Sequence, residues 1–357
     1  MKSDLENKIA EKIHSSFSRG AHLTSCVPLA GDASSRRYHR AMLSGPSAPG
    51  SIVVMELCDD TIPLSSEELA IFKEPPKELP FINLHRFLNN VGVRIPALYR
   101  YWPEEGILFL EDLGDLSLWE WVQTLSPADA AKWYEKAINQ LLKIQLQGSR
   151  ARNDACIAFE QRFDFRLYMW EFEHFIDYGI EKGKKGTMET KAKDILMEQF
   201  ALISRHLDRQ PLYLNHRDYH SWNLMVHNGE LVVIDFQDAL LAPSQYDLAS
   251  LLNDRVTDSV ILPETEMHLL NYYQKEWEKL GGGRFDGDAF FENYVLSAFQ
   301  RDLKVIGRFH YLDLIKGKPG YKKYIPATVR RAGRNLRRLP RLKNLISLLA
   351  PYFEEIR

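Results

Sequence analysis

The chain predicts an α+β fold of two lobes, a small strand-rich lobe followed by a larger, mainly helical one. Three observations carry this. Short apolar or alternating runs broken by Gly and Pro turns fill the region from Cys26 to Leu110. From Leu116 onward apolar residues recur at helical spacing almost throughout. Inside that helical part, Leu212 to Asp247 departs from the pattern as strand, polar loop, tight hairpin and polar loop. A length of 357 residues suits about two such lobes.

Taken in order, Leu5, Ile9, Ile13 and Phe17 lie four apart and form one stripe of an amphipathic helix over residues 4–17. Val27-Pro28-Leu29 then leads into the turn Gly31-Asp32-Ala33-Ser34-Ser35, and a strand follows from Arg36 to Met42. Small residues in such a turn let backbone N–H groups approach a phosphate, and Arg36, Arg37 and Arg40 add positive charge beside it. Ser51 to Leu57 reads as a buried strand. A break at Glu74-Pro75-Pro76-Lys77 precedes a helix over Pro80 to Asn90, with Phe81, Leu84 and Leu88 on its apolar face. Ile95 to Trp102 and Gly106 to Leu110 form an antiparallel pair that runs into Glu111-Asp112-Leu113-Gly114-Asp115. The lobes are expected to divide there, as 1–112 and 113–357.

Helices are then predicted over Leu116–Leu125, Ser126–Leu146, Phe163–Gly179 and Glu189–His206, and again over Pro243–Asn253, Glu264–Leu280 and Asp288–His310. Ser126-Pro127 with Asp129 is an N-cap signal. The aromatic set from Phe163 to Phe175 reads as core. Lys316 to Lys343 holds eleven Lys or Arg and no acid. Its leucines Leu336, Leu339 and Leu342 allow a helix that packs weakly and exposes a basic face.

Composition narrows the function classes. A net charge of −2 argues against wholesale nucleic-acid binding. Cys26, Cys58 and Cys156 are scattered and fit reduced thiols rather than a disulfide framework. The N-terminus has no signal-peptide core, and no apolar run nears the roughly 20 residues of a membrane span. A cytoplasmic protein is expected.

The chemistry concentrates in Leu212 to Asp247. Asn228-Gly229 between Leu224-Met225-Val226 and Leu231-Val232-Val233-Ile234 is a hairpin turn signal. With that turn His227 faces Glu230, Met225 faces Val232, and Asn223 faces Ile234. Asn223 and Asp235 then lie beside each other at the open end of the ladder with Asp218 just upstream, and since strict alternation would put the pair on opposite faces, their convergence requires the ladder to fray there. Two carboxylates and an amide at one mouth suit Mg²⁺ and phosphate. Asp218, in a loop with reach, suits orienting an acceptor hydroxyl, while Asn223 and Asp235 are hard oxygen ligands. His216 reads as a structural residue of that loop and Asp247 as a loop-organising carboxylate. Arg217 and His220 read as packing or acceptor contacts. A zinc hydrolase built on His216, Asp218 and His220 is the competing chemistry, and it lacks a second ligand cluster.

These residues resemble the aminoglycoside phosphotransferase-like, choline-kinase-like family, and within it the bacterial anomeric kinases of N-acetylmuramate and N-acetylglucosamine. The likeness lies in LAGDASSRRYHR (29–40), VVMEL (53–57), FLEDLGD (109–115), HRDYHSWNLM (216–225), VIDFQDALLAPSQYDLASLL (233–252) and QRDLKVIGRF (300–309). It implies a bilobal protein-kinase-like fold and ATP- and Mg²⁺-dependent transfer to the C1 hydroxyl of an amino sugar in cell-wall recycling. By the same resemblance Asp218 is the catalytic base and Asn223 and Asp235 hold the metal. Gly31, Ser34 and Ser35 cover the phosphates, and Glu111 to Leu113 form the hinge that reads adenine. Arg217, His220, Arg301 and Lys304 are candidate acceptor contacts. Two departures stand out. The third strand, Ile52-Val53-Val54-Met55-Glu56, has no phosphate-holding Lys, a duty that Arg37 or Arg40 could take. Gln237 stands where protein kinases have Gly. The missing Lys keeps a nucleotide-binding scaffold without turnover as an alternative, beside kinases of aminoglycosides, choline-like alcohols or other sugars.

Overall fold

A computed structural model describes the chain except residues 1–3, 18–19, 30–35, 47, 58–77, 185 and 255–256. The turn with Gly31, Ser34 and Ser35, the break at Glu74 to Lys77, and Cys58 lie outside the described residues. Helix α1 (Asp4–Ser16) leads to strands β1 (His22–Pro28), β2 (Arg36–Ser44) and β3 (Ser51–Leu57). Helix α2 (Pro80–Asn90) and strands β4 (Leu98–Trp102) and β5 (Ile107–Glu111) follow. The strands form one five-stranded antiparallel sheet in the order β1-β2-β3-β5-β4.

Both faces of this sheet are covered, which is why β3 and β5 read as continuous apolar runs rather than alternating ones. Ala41, Leu43, Ile52, Val54, Ile107 and Phe109 pack with Ile9 and Ile13 of α1. Val53, Met55, Leu57, Leu108 and Leu110 face the other way, into a core continuous with the helical part. That second face roofs a cleft.

The remainder is helical. Helix α3 (Leu118–Val122) is held by a capping box between Ser117 and Glu120. Helix α4 (Pro127–Leu142) starts as its N-cap predicts, with the Ser126 hydroxyl accepting from the Asp129 N–H. It runs on through π-helical turns over 143–148, as helix α5 (Phe165–His174) does over 175–182. Helix α6 (Thr190–Asp208) precedes β6 (Leu212–Asn215), β7 (Leu224–His227), β8 (Glu230–Val233) and β9 (Leu240–Pro243). β7 pairs with β8, and β6 with β9. The four-residue β9 has no alternation to announce it. Helices α7 (Gln245–Leu252), α8 (Pro263–Lys279), α9 (Gly287–Leu314), α10 (Ile325–Arg337) and α11 (Asn344–Leu349) complete the chain.

The basic segment differs from its sequence reading. Leu336, Leu339 and Leu342 are buried, and so is Arg331. Arg331 and Arg334 pair with Asp258, and Arg338 with Glu266. The acids that neutralise this helix lie outside the segment itself, so its own sequence could not reveal them. Among the described residues no helix is long and apolar enough to cross a membrane.

Candidate active site

The hairpin forms with the register its turn dictates: His227↔Glu230, Met225↔Val232 and Leu224↔Val233. Asn228 and Gly229 take φ of 52° and 80°, the positive values that a two-residue turn of this kind requires. The Ile234 N–H donates to the Asn223 carbonyl at 3.0 Å, one step beyond the ladder. Asn223 ends a short 3₁₀ turn, Ser221–Asn223, that swings its side chain round. Its Nδ2 donates to the Asp218 carbonyl at 3.0 Å and approaches Asp235 Oδ2 at 3.5 Å. Asp235 has φ 62°, a conformation uncommon outside glycine, and Gln237 Nε2 donates to its Oδ1 at 2.7 Å. So Gln237 holds the Asp235 carboxylate. The rings of Phe236 and Phe81 stack at 5.0 Å, fixing this segment under α2.

Asp218 belongs to a loop tied from below. Asp247, in the first turn of α7, accepts from the backbone N–H groups of His216 and Arg217. Burial pushes the Asp247 carboxyl up to about 7, against those two donors. The His216 ring sits between the Ile234 carbonyl, at 2.8 Å from Nε2, and the Asp218 N–H, at 3.3 Å from Nδ1. Burial lowers its pKa, which favours this neutral bridging form. Both ring nitrogens face the backbone, so His216 is no zinc ligand. Among the described residues no group of three or more His, Cys, Asp or Glu is arranged to hold a metal by itself. Arg217, between His216 and Asp218, takes φ 79°.

The Asp218 carboxylate opens into the cleft, with 39% of the side chain accessible. Burial of its surroundings acts to raise its pKa. Lys304, Arg301, His220 and Arg217 together overcome that and hold it well below the usual carboxylate range. Arg301 Nη2 lies 3.4 Å from Asp218 Oδ1. Lys304 Nζ lies 3.1 Å from Glu171 Oε1, and Gln300 Nε2 donates to Glu171 Oε2 at 2.6 Å. The four basic candidates therefore surround Asp218, and Arg301 and Lys304 are partnered by carboxylates. Glu171 was hidden in the sequence. It lies in the aromatic run read as core, FDFRLYMWEFEHF, where Asp164 and Glu173 are acids too and nothing singles it out.

At the lobe junction Glu111 makes a bidentate pair with Arg94, at 2.6 and 2.8 Å. The Leu113 carbonyl accepts from His227 at 3.2 Å when Nδ1 carries the proton. Arg40 differs from the expectation that it serves phosphate. Its guanidinium is taken by Asp112, at 2.8 and 3.0 Å, and by Asp115, at 2.9 and 3.0 Å. Arg37 differs too. It pairs in register with Glu56, on the sheet face turned away from the cleft, and its Nη1 is 3.8 Å from Glu56 Oε2.

The donor set at Asn223 and Asp235 fits Mg²⁺. Both offer hard oxygens, and Mg²⁺ takes few protein ligands because it retains waters and phosphate oxygens. Burial raises the Asp235 pKa, and Asp238 adds to the rise, so a cation would relieve a concentration of negative charge.

A profile of the phosphotransferase enzyme family matches residues 25–282, which includes the cleft face of the sheet and the whole of Leu212 to Asp247. The chain belongs to this family. A relative from Pseudomonas aeruginosa, named N-acetylmuramate/N-acetylglucosamine kinase, is 30% identical over 335 residues, covering 91% of this chain and 87% of its own. One of the same name from Neisseria meningitidis is 27% identical over 325 residues, covering 90% and 88%. Among solved structures, an ADP-bound aminoglycoside phosphotransferase superposes with a TM-score of 0.58 at 13% identity, covering 93% of this chain and 98% of that one. Choline kinase from Streptococcus pneumoniae gives 0.57 at 15%, covering 93% and 100%. The fold is the bilobal, kinase-like one of these phosphotransferases.

Proposed function

We propose that this phosphotransferase moves the γ-phosphate of ATP to a sugar, onto the anomeric C1 hydroxyl of N-acetylmuramate or N-acetylglucosamine, in cytoplasmic cell-wall recycling. The observation that carries the kinase reading is the gathering of an accessible Asp218, Asn223 and Asp235 at one cleft mouth. The names of the relatives supply the acceptor. In this reading residues 1–112 cover the nucleotide and 113–357 carry the catalytic loop and acceptor pocket. The Glu111–Leu113 backbone reads adenine, with the Leu113 carbonyl already held by His227.

Asp218 accepts a hydrogen bond from the acceptor hydroxyl and receives its proton as the new P–O bond forms and the bond from the γ-phosphorus to the bridging oxygen breaks, releasing ADP. Held so low in pKa, it is a weak base and works chiefly by orientation, which suffices for a loose phosphoryl-transfer transition state. Asn223 and Asp235 would hold Mg²⁺, which when bound neutralises charge on the phosphate oxygens. His216 and Asp247 keep the loop in shape. Arg301 and Lys304, paired with Asp218 and Glu171, line the acceptor side of the loop. Asp218→Asn is expected to bind ADP as the unaltered protein does and to lose about 10²–10⁴-fold in kcat. The readout is sugar-dependent ADP release, and full retention of kcat would contradict the role of Asp218.

A further inference from the structure

A nucleotide held under this sheet needs a cation for its inner phosphates, and the usual place for one is apolar here. The cleft face of β3 carries Val53, Met55 and Leu57. Helix α2, PFINLHRFLNN, also lacks the acid that would pair with a strand lysine. The register of β2 on β3 sets Arg36 beside Leu57, Tyr38 beside Met55 and Arg40 beside Val53. Paired residues of an antiparallel ladder project to one side, so these three share the cleft face. Arg40 is consumed by Asp112 and Asp115. Arg37 and His39 lie on the opposite face, beside Glu56.

Arg36 shares the cleft face, and its setting suits the task. It is half-buried at the first position of β2 and within hydrogen-bonding reach of the Tyr38 hydroxyl. Tyr38 in turn feels the charges of both Arg36 and Asp235, so strand and metal-ligand segment lie close together. We propose that Arg36, steadied by Tyr38, supplies from the second strand the charge for the α- and β-phosphates that a third-strand lysine supplies in protein kinases. A planar guanidinium can grip two phosphate oxygens at once, which an ammonium does only as a point charge. The inference rests on the nucleotide reading above and adds the residue that holds the phosphates.

Calorimetric titration of ADP and of adenosine, at constant Mg²⁺, tests it without turnover. Arg36→Met is expected to raise the ADP Kd about 10–100-fold and leave the adenosine Kd unchanged, the loss typical of a charge-assisted phosphate contact. Arg36→Lys keeps charge and bulk and should fall between the two. Arg37→Met should bind both ligands as the unaltered protein does. An unchanged ADP Kd in Arg36→Met would overturn the proposal, as would equal weakening of ADP and adenosine. An unaltered protein that binds neither ligand would instead remove the nucleotide reading itself.

Discussion

At Asp247 a single buried carboxylate organises the loop that carries Asp218. It accepts from two consecutive backbone N–H groups, of His216 and Arg217, that have no water to turn to. Asp247→Ala would orphan both, at about 1–3 kcal/mol each. A fall in unfolding free energy of about 2–5 kcal/mol in urea is expected on that basis, and an unchanged midpoint would contradict it. The pH dependence follows from the raised pKa. A carboxyl raised to about 7 when folded contributes its full stability below its unfolded value and loses it as pH rises through about 7. The gap between Asp247→Ala and the unaltered protein should therefore narrow from pH 5 to pH 8. Asp218, Asn223, Asp235 and Asp247 were all legible as a group because they share one stretch of chain, where the hairpin sets the middle pair side by side and the 3₁₀ turn at Asn223 with the positive φ of Asp235 turns their side chains together. Arg36, Arg37 and Arg40 were not separable. Which of them faces the cleft depends on strand register, and a slip of one residue exchanges the faces. Glu171 was invisible because its partner Gln300 is 129 residues away.

Among the elements, α9 and the helix α5 with its π-helical extension decide the shape of the pocket wall. Gly307 lets them touch: a Cβ there would stand 2.8 Å from Phe175 Cα and 3.1 Å from the His174 carbonyl oxygen. That approach brings Arg301 and Lys304 of α9 toward Asp218 and Glu171. Gly307→Ala meets backbone rather than a movable side-chain tip, so the helices must part. We expect a loss of about 1–3 kcal/mol in stability and a lowered sugar affinity with ADP affinity kept. Unchanged melting temperature and KM would show that the close crossing is not required. Most helices were readable from spacing and caps, Pro80–Asn90 and the Ser126 cap among them. Strand β9 was missed because four residues carry too little pattern, and its pairing with β6 comes from tertiary contact.

On the scale of the molecule, helix α10 is linked to the turn that bears Asn223 through buried polar contacts. Asn335 of α10 donates to Asp302 at 3.0 Å and to Asn253 at 3.2 Å. Asp254, next in the chain, accepts from Ser221 at 3.3 Å, at the start of the turn that bears Asn223. The bilobal plan was visible as the change of periodicity near Glu111. The anchoring of the basic segment was not, since its acids Asp258, Glu266 and Asp302 lie on other elements.

Transfer of phosphate from ATP to an anomeric hydroxyl leaves a product with a distinctive phosphorus signal. ³¹P NMR of the protein with Mg²⁺, ATP and a panel of sugars reads the product directly. A phosphomonoester coupled to the anomeric proton is expected, formed with N-acetylmuramate or N-acetylglucosamine and abolished in Asp218→Asn. A 6-phosphate product, or ATP left intact with every sugar offered, would contradict it.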